Sequence, residues 1–173
     1  DHDRLQSKGD VQFSEAPHQA TIILRSWMLS LDKYVLLSEA CSVGGSSMFT
    51  SPDEYEKKHY WPKAYEAYPV LRSISPSCFW TQGPSFSVKH VKQFFSGAPI
   101  MVKDHVKSAK GAKDAIFISD SGDKREVWNV VNNMIKERGP LFERGIVFKK
   151  RVEIKKDADG KPIEARLFFF NGR

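Results

Sequence analysis

Apolar runs of strand length alternate with segments of helical periodicity through the first half of the chain, and this alternation restricts the fold most. Residues 20–28 (ATIILRSWM) open with a continuous β-branched run, which suits a strand buried on both faces. Ser30 follows as a typical N-cap, and apolar residues recur at helical spacing until Gly44 and Gly45 stop the helix. A strand followed by a helix predicts a small parallel α/β lobe.

The same alternation continues to residue 95. Ser51 combines with a proline at the first helical position and a glutamate placed for a capping box, which marks the start of a helix. The complete pattern predicts a strand at 48–50, a helix that begins at Pro52 and is interrupted at Pro62, a second helical segment over 63–71, a strand at 78–81 and an amphipathic helix over 87–95.

The second half of the chain has a different order of strands and helices, and we predict a lobe boundary at Gly97-Ala98. Two strands are separated by a glycine-bearing loop, which is typical of a flap, and Gly139-Pro140 ends the helix that comes next. The predicted elements are strands at 99–104 and 115–119, a helix over 124–137, and two long strands at 145–154 and 162–170 joined by a turn at 157–160.

Charge and composition limit the classes of partner. The net charge of +6 and the isoelectric point near 9.3 favour an anionic partner, which could be a nucleotide, a nucleic acid, an acidic peptide or a membrane surface. Nucleic acid is less favoured, because the lysines are spread along the chain and no RNA-binding signature of glycine and aromatic residues occurs.

Cysteine usage and hydropathy exclude further classes. Cys41 and Cys78 form no CxxC motif and no paired Cys/His spacing, which excludes a zinc finger and a disulfide scaffold. The sequence has no run of about 18 apolar residues and it starts with a polar segment, so neither a membrane span nor a secretory signal is predicted. We therefore expect a cytoplasmic protein.

Three basic residues stand where a ligand could bind. Lys103 and Lys107 lie at the end of the strand 99–104 and the start of the glycine-bearing loop, where ammonium groups could hold a polyphosphate. Arg25 ends the first predicted strand, and it could hold a substrate carboxylate or cap main-chain carbonyls. Solvated lysines beside a loop would give the same spacing, so both interpretations remain open at this point.

Several segments resemble members of the ATP-grasp superfamily. The order of a strand with lysine, a loop, a strand, a helix and two long strands resembles the nucleotide-binding subdomain of these enzymes. Residues 102–108 (VKDHVKS) are similar to the lysine motif of the clade named for one arginine and two lysines, and residues 25–29 (RSWML) resemble its Arg-Gly-Trp-Met segment. Residues 50–62 resemble the region ahead of its ATP-binding lobe.

The resemblance covers nearly the entire chain and implies an α/β fold of two lobes. A small parallel pre-ATP-grasp α/β lobe would occupy residues 1–98, and a nucleotide-binding subdomain with antiparallel strands would occupy residues 99–173. ATP and Mg²⁺ are the implied cofactors. Lys103 and Lys107 would hold phosphates, while the strand containing Lys150 and Val152 would lie against the adenine.

The same resemblance implies catalytic roles near the end of the chain. Glu164-Ala165-Arg166 resembles an acidic-x-Arg element of the peptide-ligase members. Arg166 would brace the transferring phosphate, since a planar guanidinium suits its equatorial oxygens, and Glu164 would support the ribose or orient Arg166. An exposed cross-strand ion pair is the alternative interpretation. Arg25 would position the substrate.

The implied activity is ATP-dependent ligation of a carboxylate to an amine through an acylphosphate. ATP-grasp enzymes carry their magnesium-binding residues on later strands, and the sequence ends at Arg173 before such a segment. We therefore expect a chain that is truncated relative to the natural protein, or a nucleotide-binding remnant. The alternative function is non-catalytic binding of an acidic peptide or a nucleic acid by a basic α/β protein.

Overall fold

The computed structural model of the chain describes residues 19–25, 29–106, 116–161 and 163. These residues form two compact units, which divide between Lys63 and Ala64. The lobe boundary predicted at Gly97-Ala98 lies inside the second unit. It does so because the strand and the helix that precede this boundary pack into the sheet and core of that unit.

The first unit contains a short parallel β-α-β arrangement. Strand β1 (Thr21–Ile22) pairs with strand β2 (Ser47–Met48), and helix α1 (Leu31–Val43) connects them, as the sequence predicts. The first strand is much shorter than the predicted run, and Ile23 is 67% exposed, so the prediction of a strand buried on both faces is wrong here. Strand β2 is equally short, and only two residue pairs form between the two strands.

Tyrosines hold the helices of the first unit together. The rings of Tyr34 and Tyr55 stack with centroids 3.8 Å apart. The Tyr34 hydroxyl donates to the Thr50 carbonyl at 2.8 Å, and the Tyr55 hydroxyl donates to the Leu29 carbonyl at 2.8 Å. Because each of these partly buried hydroxyls donates to a main-chain carbonyl, the packing of the two rings leaves neither hydroxyl without a hydrogen bond.

Helix starts in the middle of the chain follow their capping signals. Helix α2 (Pro52–His59) begins at the predicted proline, and the Ser51 hydroxyl accepts from the Glu54 main-chain nitrogen at 3.2 Å. The segment predicted as one helix over 63–71 is two helices, because Pro69 removes a main-chain donor between them. These are α3 (Trp61–Ala67) and α4 (Val70–Ile74).

The second unit contains four described strands: β3 (Cys78–Trp80), β4 (Ile100–Asp104), β5 (Phe117–Ile118) and β6 (Ile146–Lys150). They form an antiparallel sheet in the order β3-β6-β4-β5. The sequence predicts β3 in the parallel lobe, but this strand pairs antiparallel with β6, so that part of the prediction is wrong. The mixed α/β class with a small parallel unit and an antiparallel second unit is confirmed.

Two helices cover one face of this sheet. Helix α5 (Val88–Phe95) starts at Ser87, whose hydroxyl accepts from the His90 nitrogen, and helix α6 (Lys124–Arg138) starts at Asp123, whose carboxylate accepts from two main-chain nitrogens. A short 3₁₀ turn (Gly139–Leu141) follows α6. The core on this face consists of apolar side chains from both helices and the strands: Val91, Phe95, Ile100, Val102, Ile116, Ile118, Val127, Val130, Val131, Met134, Ile146 and Phe148.

The chain beyond β6 forms the predicted turn. The Gly160 nitrogen donates to the Asp157 carbonyl at 3.0 Å, and the Asp157 carboxylate accepts from the Lys161 nitrogen at 2.8 Å. Strand β6 ends at Lys150, four residues short of the predicted end at residue 154. The strand predicted over 162–170 lies outside the described residues, apart from residue 163.

Gly145 sits where the chain has no room for a side chain. A Cβ at this position would lie 2.1 Å from the Thr81 carbonyl oxygen and 2.7 Å from His105 Nε2. We therefore expect Gly145→Ala to lower the free energy of unfolding by about 1–3 kcal/mol, the usual cost of overpacking. Urea unfolding measures this change. Gly44→Ala is the control, since its Cβ would meet its nearest neighbour, the Cys41 carbonyl, only at 3.4 Å; equal losses in both variants would contradict the prediction.

Candidate anion-binding site

The face of the sheet opposite α5 and α6 carries two lysines. Side chains of directly paired residues point to the same side of a sheet, so the register defines rows of neighbours. We call this surface the lysine face. One row runs across it from Trp80 through Val147 to Lys103, and the adjacent row contains Cys78, Lys149, Met101 and Phe117.

Lys103 is buried on this face, with 7% of its surface exposed. Burial lowers the pKa of its ammonium group from the ordinary value of 10.5 to about 7, and the positive charge of Lys149 contributes to the same shift. The carboxylate of Asp104 and the thiol of Cys78 act in the opposite direction. A buried ammonium beside a second one gains from any anion that reaches it, because the anion offsets both the desolvation and the repulsion.

Lys149 is partly buried, and its environment includes an aromatic cluster. Burial lowers the pKa of its ammonium group, and Nζ donates to the Tyr65 hydroxyl oxygen at 3.4 Å. The Tyr65 ring stacks on Trp80 with centroids 6.0 Å apart, and the Arg72 guanidinium lies 5.3 Å from the centre of the Trp80 ring. Positive groups and flat apolar rings therefore lie together near this face, a combination that suits an anionic ligand with an aromatic part.

The structure separates some of the residues that the sequence groups together. Lys103 lies at the end of β4 as predicted, but Lys150 pairs with Ile100 and belongs to the helix-covered side of the sheet, where its side chain is exposed. Val152 is also exposed and follows the end of β6. Arg25 is exposed in the first unit, three residues after β1. Lys107, Glu164 and Arg166 lie outside the described residues.

Two main-chain N–H groups at the end of β6 already donate within the second unit, so they cannot donate to a bound adenine. The Lys150 nitrogen donates to the Ser77 carbonyl at 2.8 Å, and the Arg151 nitrogen donates to the Pro99 carbonyl at 2.9 Å. These two donors are already used by the sheet. A main-chain N–H that donates to a ligand would therefore have to come from Val152 or beyond.

Sequence reasoning did not select Lys149 or Tyr65 as site residues. Period-two alternation along β6 puts Lys149 and Lys150 on opposite faces, but only the register with β4 tells which of them shares a face with Lys103. Tyr65 comes from α3, which is far away in the sequence, and no local pattern indicates its contact with Lys149. Alternation indicates that only one of Lys149 and Lys150 can share a face with Lys103, but it does not tell which one.

The side chains of His105 and Asp123 have structural roles. The His105 ring nitrogen Nε2 donates to the Thr81 carbonyl at 2.9 Å, and burial lowers the pKa of this imidazole. The Asp123 carboxylate caps α6 by accepting from the Arg125 and Glu126 nitrogens. Within the described ranges, no group of three or more His, Cys, Asp or Glu side chains could hold a metal ion.

Comparison with solved structures finds a similarity to the crystal structure of D-alanyl-alanine synthetase A from Vibrio cholerae O1 biovar eltor. The sequence identity is 12% and the TM-score is 0.47. The match covers 76% of this chain and 39% of that chain, so this chain spans about two fifths of the length of the solved protein. No protein-family model and no curated protein sequence matches the chain.

Among the residues that the structure describes, no helix is both long enough and apolar enough to cross a membrane.

The lowered pKa of Lys103 predicts a pH dependence of stability. Between pH 7 and 10.5 the unfolded chain binds a proton at this amine that the folded chain lacks, so the free energy of unfolding rises with pH across this window. The slope for one proton is at most about 1.4 kcal/mol per pH unit. We expect Lys103→Met to reduce this rise, measured by urea unfolding at several pH values. Lys150→Met is the matched control on the same sheet, and the prediction fails if both variants keep the wild-type slope.

Proposed function

We propose that the lysine face binds the phosphates of ATP, and that the chain takes part in ATP-dependent ligation of a carboxylate to an amine. The observation that carries the proposal is the pair Lys103 and Lys149, which lie on the same face of the sheet in adjacent rows. Lys103 is desolvated and lies close enough to Lys149 for their charges to interact. A polyphosphate would relieve the cost of burying these charges.

The order of elements supports the same class of activity. Strands β4 and β5, helix α6 and strand β6 follow in the order that the ATP-grasp resemblance implies for its nucleotide-binding subdomain. Lys103 lies one residue before the end of β4, and the segment that joins β4 to β5 follows. This position agrees with a phosphate-binding lysine at the base of a loop that covers the nucleotide.

The proposed reaction has two steps. A carboxylate oxygen of the first substrate attacks the γ-phosphorus and forms an acylphosphate, while ADP leaves. The amine then attacks the acyl carbon, the carbon–oxygen bond to phosphate breaks, and the amine loses a proton as the amide forms. The attack at phosphorus places charge on the equatorial oxygens, which positioned cations stabilise.

Roles for individual residues follow from this reaction. Lys103 and Lys149 neutralise phosphate oxygens, and Lys107 adds a further ammonium group from the segment after β4. Arg166 stabilises the transferring phosphoryl group, with Glu164 orienting it or holding the ribose. Arg25 holds the carboxylate of a substrate.

Mg²⁺ accompanies ATP in this proposal. Mg²⁺ commonly uses one or two protein carboxylates together with substrate phosphates and water. The described residues provide no clustered set of protein ligands for it. We therefore assign no protein ligand to the ion.

ATP with Mg²⁺ should raise the melting temperature of the wild-type protein, because a ligand that binds only the folded state stabilises it. A hundredfold excess over the dissociation constant corresponds to about 2.7 kcal/mol. We expect Lys103→Ala and Lys149→Ala each to remove most of this shift. Lys150→Ala should keep it, since that side chain lies on the other side of the sheet. Differential scanning fluorimetry with and without the nucleotide gives the comparison.

The alternative function, binding of nucleic acid, predicts a different ligand preference and a different dependence on salt. A protein that binds nucleic acid through backbone phosphates would prefer single-stranded RNA to ATP, and its affinity would fall steeply between two salt concentrations. Preferential, salt-sensitive RNA binding that Lys150→Ala weakens as much as Lys149→Ala would sink the ATP proposal.

The ligase step has its own measurement. Hydroxylamine captures an acylphosphate as a hydroxamate, so a panel of carboxylates with ATP, Mg²⁺ and hydroxylamine should yield hydroxamate together with stoichiometric ADP. We expect Arg166→Ala to lower the rate by about 10²-fold or more, which is typical for the loss of one transition-state cation or donor. ATP binding by Arg166→Ala with an unchanged hydroxamate rate would contradict the role of this residue. Binding without any hydroxamate in the wild type would favour a nucleotide-binding remnant.

A further inference from the structure

Asp104 is a fully buried carboxylate at the end of β4, and its oxygens contact several parts of the second unit. One oxygen accepts from the Val106 nitrogen at 2.8 Å. The other oxygen accepts from Arg138 Nε at 2.7 Å and from the Glu143 nitrogen at 3.3 Å. A single side chain therefore ties the end of β4 to the C-terminal end of α6 and to the connection that leads into β6.

Arg138 completes this arrangement. Its Nη2 donates to the Leu141 carbonyl at 2.6 Å, so the guanidinium bridges the carboxylate and the turn after α6. The His105 nitrogen also donates to the Glu143 carbonyl at 3.3 Å. The chain on the C-terminal side of Lys103 is thus fixed to the chain before β6, the strand that carries Lys149.

Asp104 also acts on Lys103 through its charge. The two residues are adjacent in β4, so their side chains point to opposite sides of the sheet. The carboxylate favours the protonated form of the Lys103 amine and opposes the effects of burial and of Lys149. The charges that act on Lys103 are those of Lys149 on β6, Asp104 on β4 and Cys78 on β3. Further groups lie around its neighbours: Tyr65 accepts from Lys149, Arg72 lies over the Trp80 ring, and Glu66 and Arg144 act on His105.

We propose that Asp104, held by Arg138, is a positioning residue for the anion-binding site. Its carboxylate fixes the chain around Lys103 and balances the charge of the Lys103 ammonium group. The proposal rests on the proposed function in assigning phosphate binding to Lys103. The competing hypothesis is that Asp104 only stabilises the fold through its contacts with Arg138 and the main chain. In that case, removing its charge would leave the protonation of Lys103 unchanged.

The experiment measures the protonation of Lys103 directly, without nucleotide. Trace labelling of amines with acetic anhydride at a series of pH values, read by peptide mass spectrometry, gives the titration midpoint of each lysine. We expect Asp104→Asn to move the midpoint of Lys103 to lower pH and to leave that of Lys150 in place. A shift of one unit from a midpoint of 7 lowers the protonated fraction at neutral pH about fivefold. ATP affinity at pH 7 should fall by a similar factor.

Asp123→Ala is the control for a purely structural role. Asp123 caps the other end of α6 and accepts from the Arg125 and Glu126 nitrogens. This variant should lose stability while the midpoint of Lys103 stays at its wild-type value. If Asp104→Asn also leaves the Lys103 midpoint unchanged, the proposal is overturned and Asp104 is structural only.

A second variant covers the case in which Asp104→Asn does not fold. Breaking a buried ion pair on one side leaves an uncompensated charge, whereas removing both charges together costs much less. Asp104→Asn combined with Arg138→Met removes both, and it should lower the Lys103 midpoint by less than the single variant does, because the loss of the Arg138 cation acts in the opposite direction. An unchanged midpoint in this folded double variant would equally overturn the proposal.

The two hypotheses fail in different ways. If the wild-type protein binds no ATP, the proposed function fails, while the labelling midpoints still decide the role of Asp104. If ATP binds through Lys103 but Asp104→Asn changes neither midpoint nor affinity, only the positioning role is lost.

Discussion

The pairing of β6 with two partners is the constraint on which the second unit depends. Strand β6 lies between β3 and β4, and its hydrogen bonds align three segments that are far apart in the sequence. The same pairing puts Phe148 in the core on one side and Lys149 on the opposite face. Without β6, the lysine of β4 would have neither its neighbouring cation nor the sheet that buries it.

Local signals in the sequence predicted most elements of the fold. Ser51, Ser87 and Asp123 each accept from main-chain nitrogens at the predicted helix starts, because capping depends on residues only a few positions apart. Sheet partners depend on contacts across the whole chain. The sequence for that reason could not indicate that β3, which lies among helices, would pair antiparallel with β6. The assignment of 1–98 and 99–173 as functional lobes stays a prediction.

The candidate site was predictable to the same limited extent. Lys103 was identified because a lysine at the end of a strand is a local feature. The choice between Lys149 and Lys150 depends on register, and the contact of Lys149 with Tyr65 depends on packing between distant segments. The roles of Lys107, Glu164, Arg166 and Arg25 remain predictions that rest on the resemblance.

The close approach at Gly145 has a consequence for how the chain tolerates insertions and deletions. Lys149 and Lys150 are consecutive, so a shift of β6 by one position would still present an amine beside Lys103. The same shift would turn Lys149 toward the apolar core and Phe148 away from it. The Thr81 carbonyl and the His105 ring leave no space for a bulkier neighbour at the entrance to the strand. An insertion or deletion in this strand would therefore disturb the core and the crowded segment at Gly145. Such a change would damage folding before it altered the charge of the lysine face.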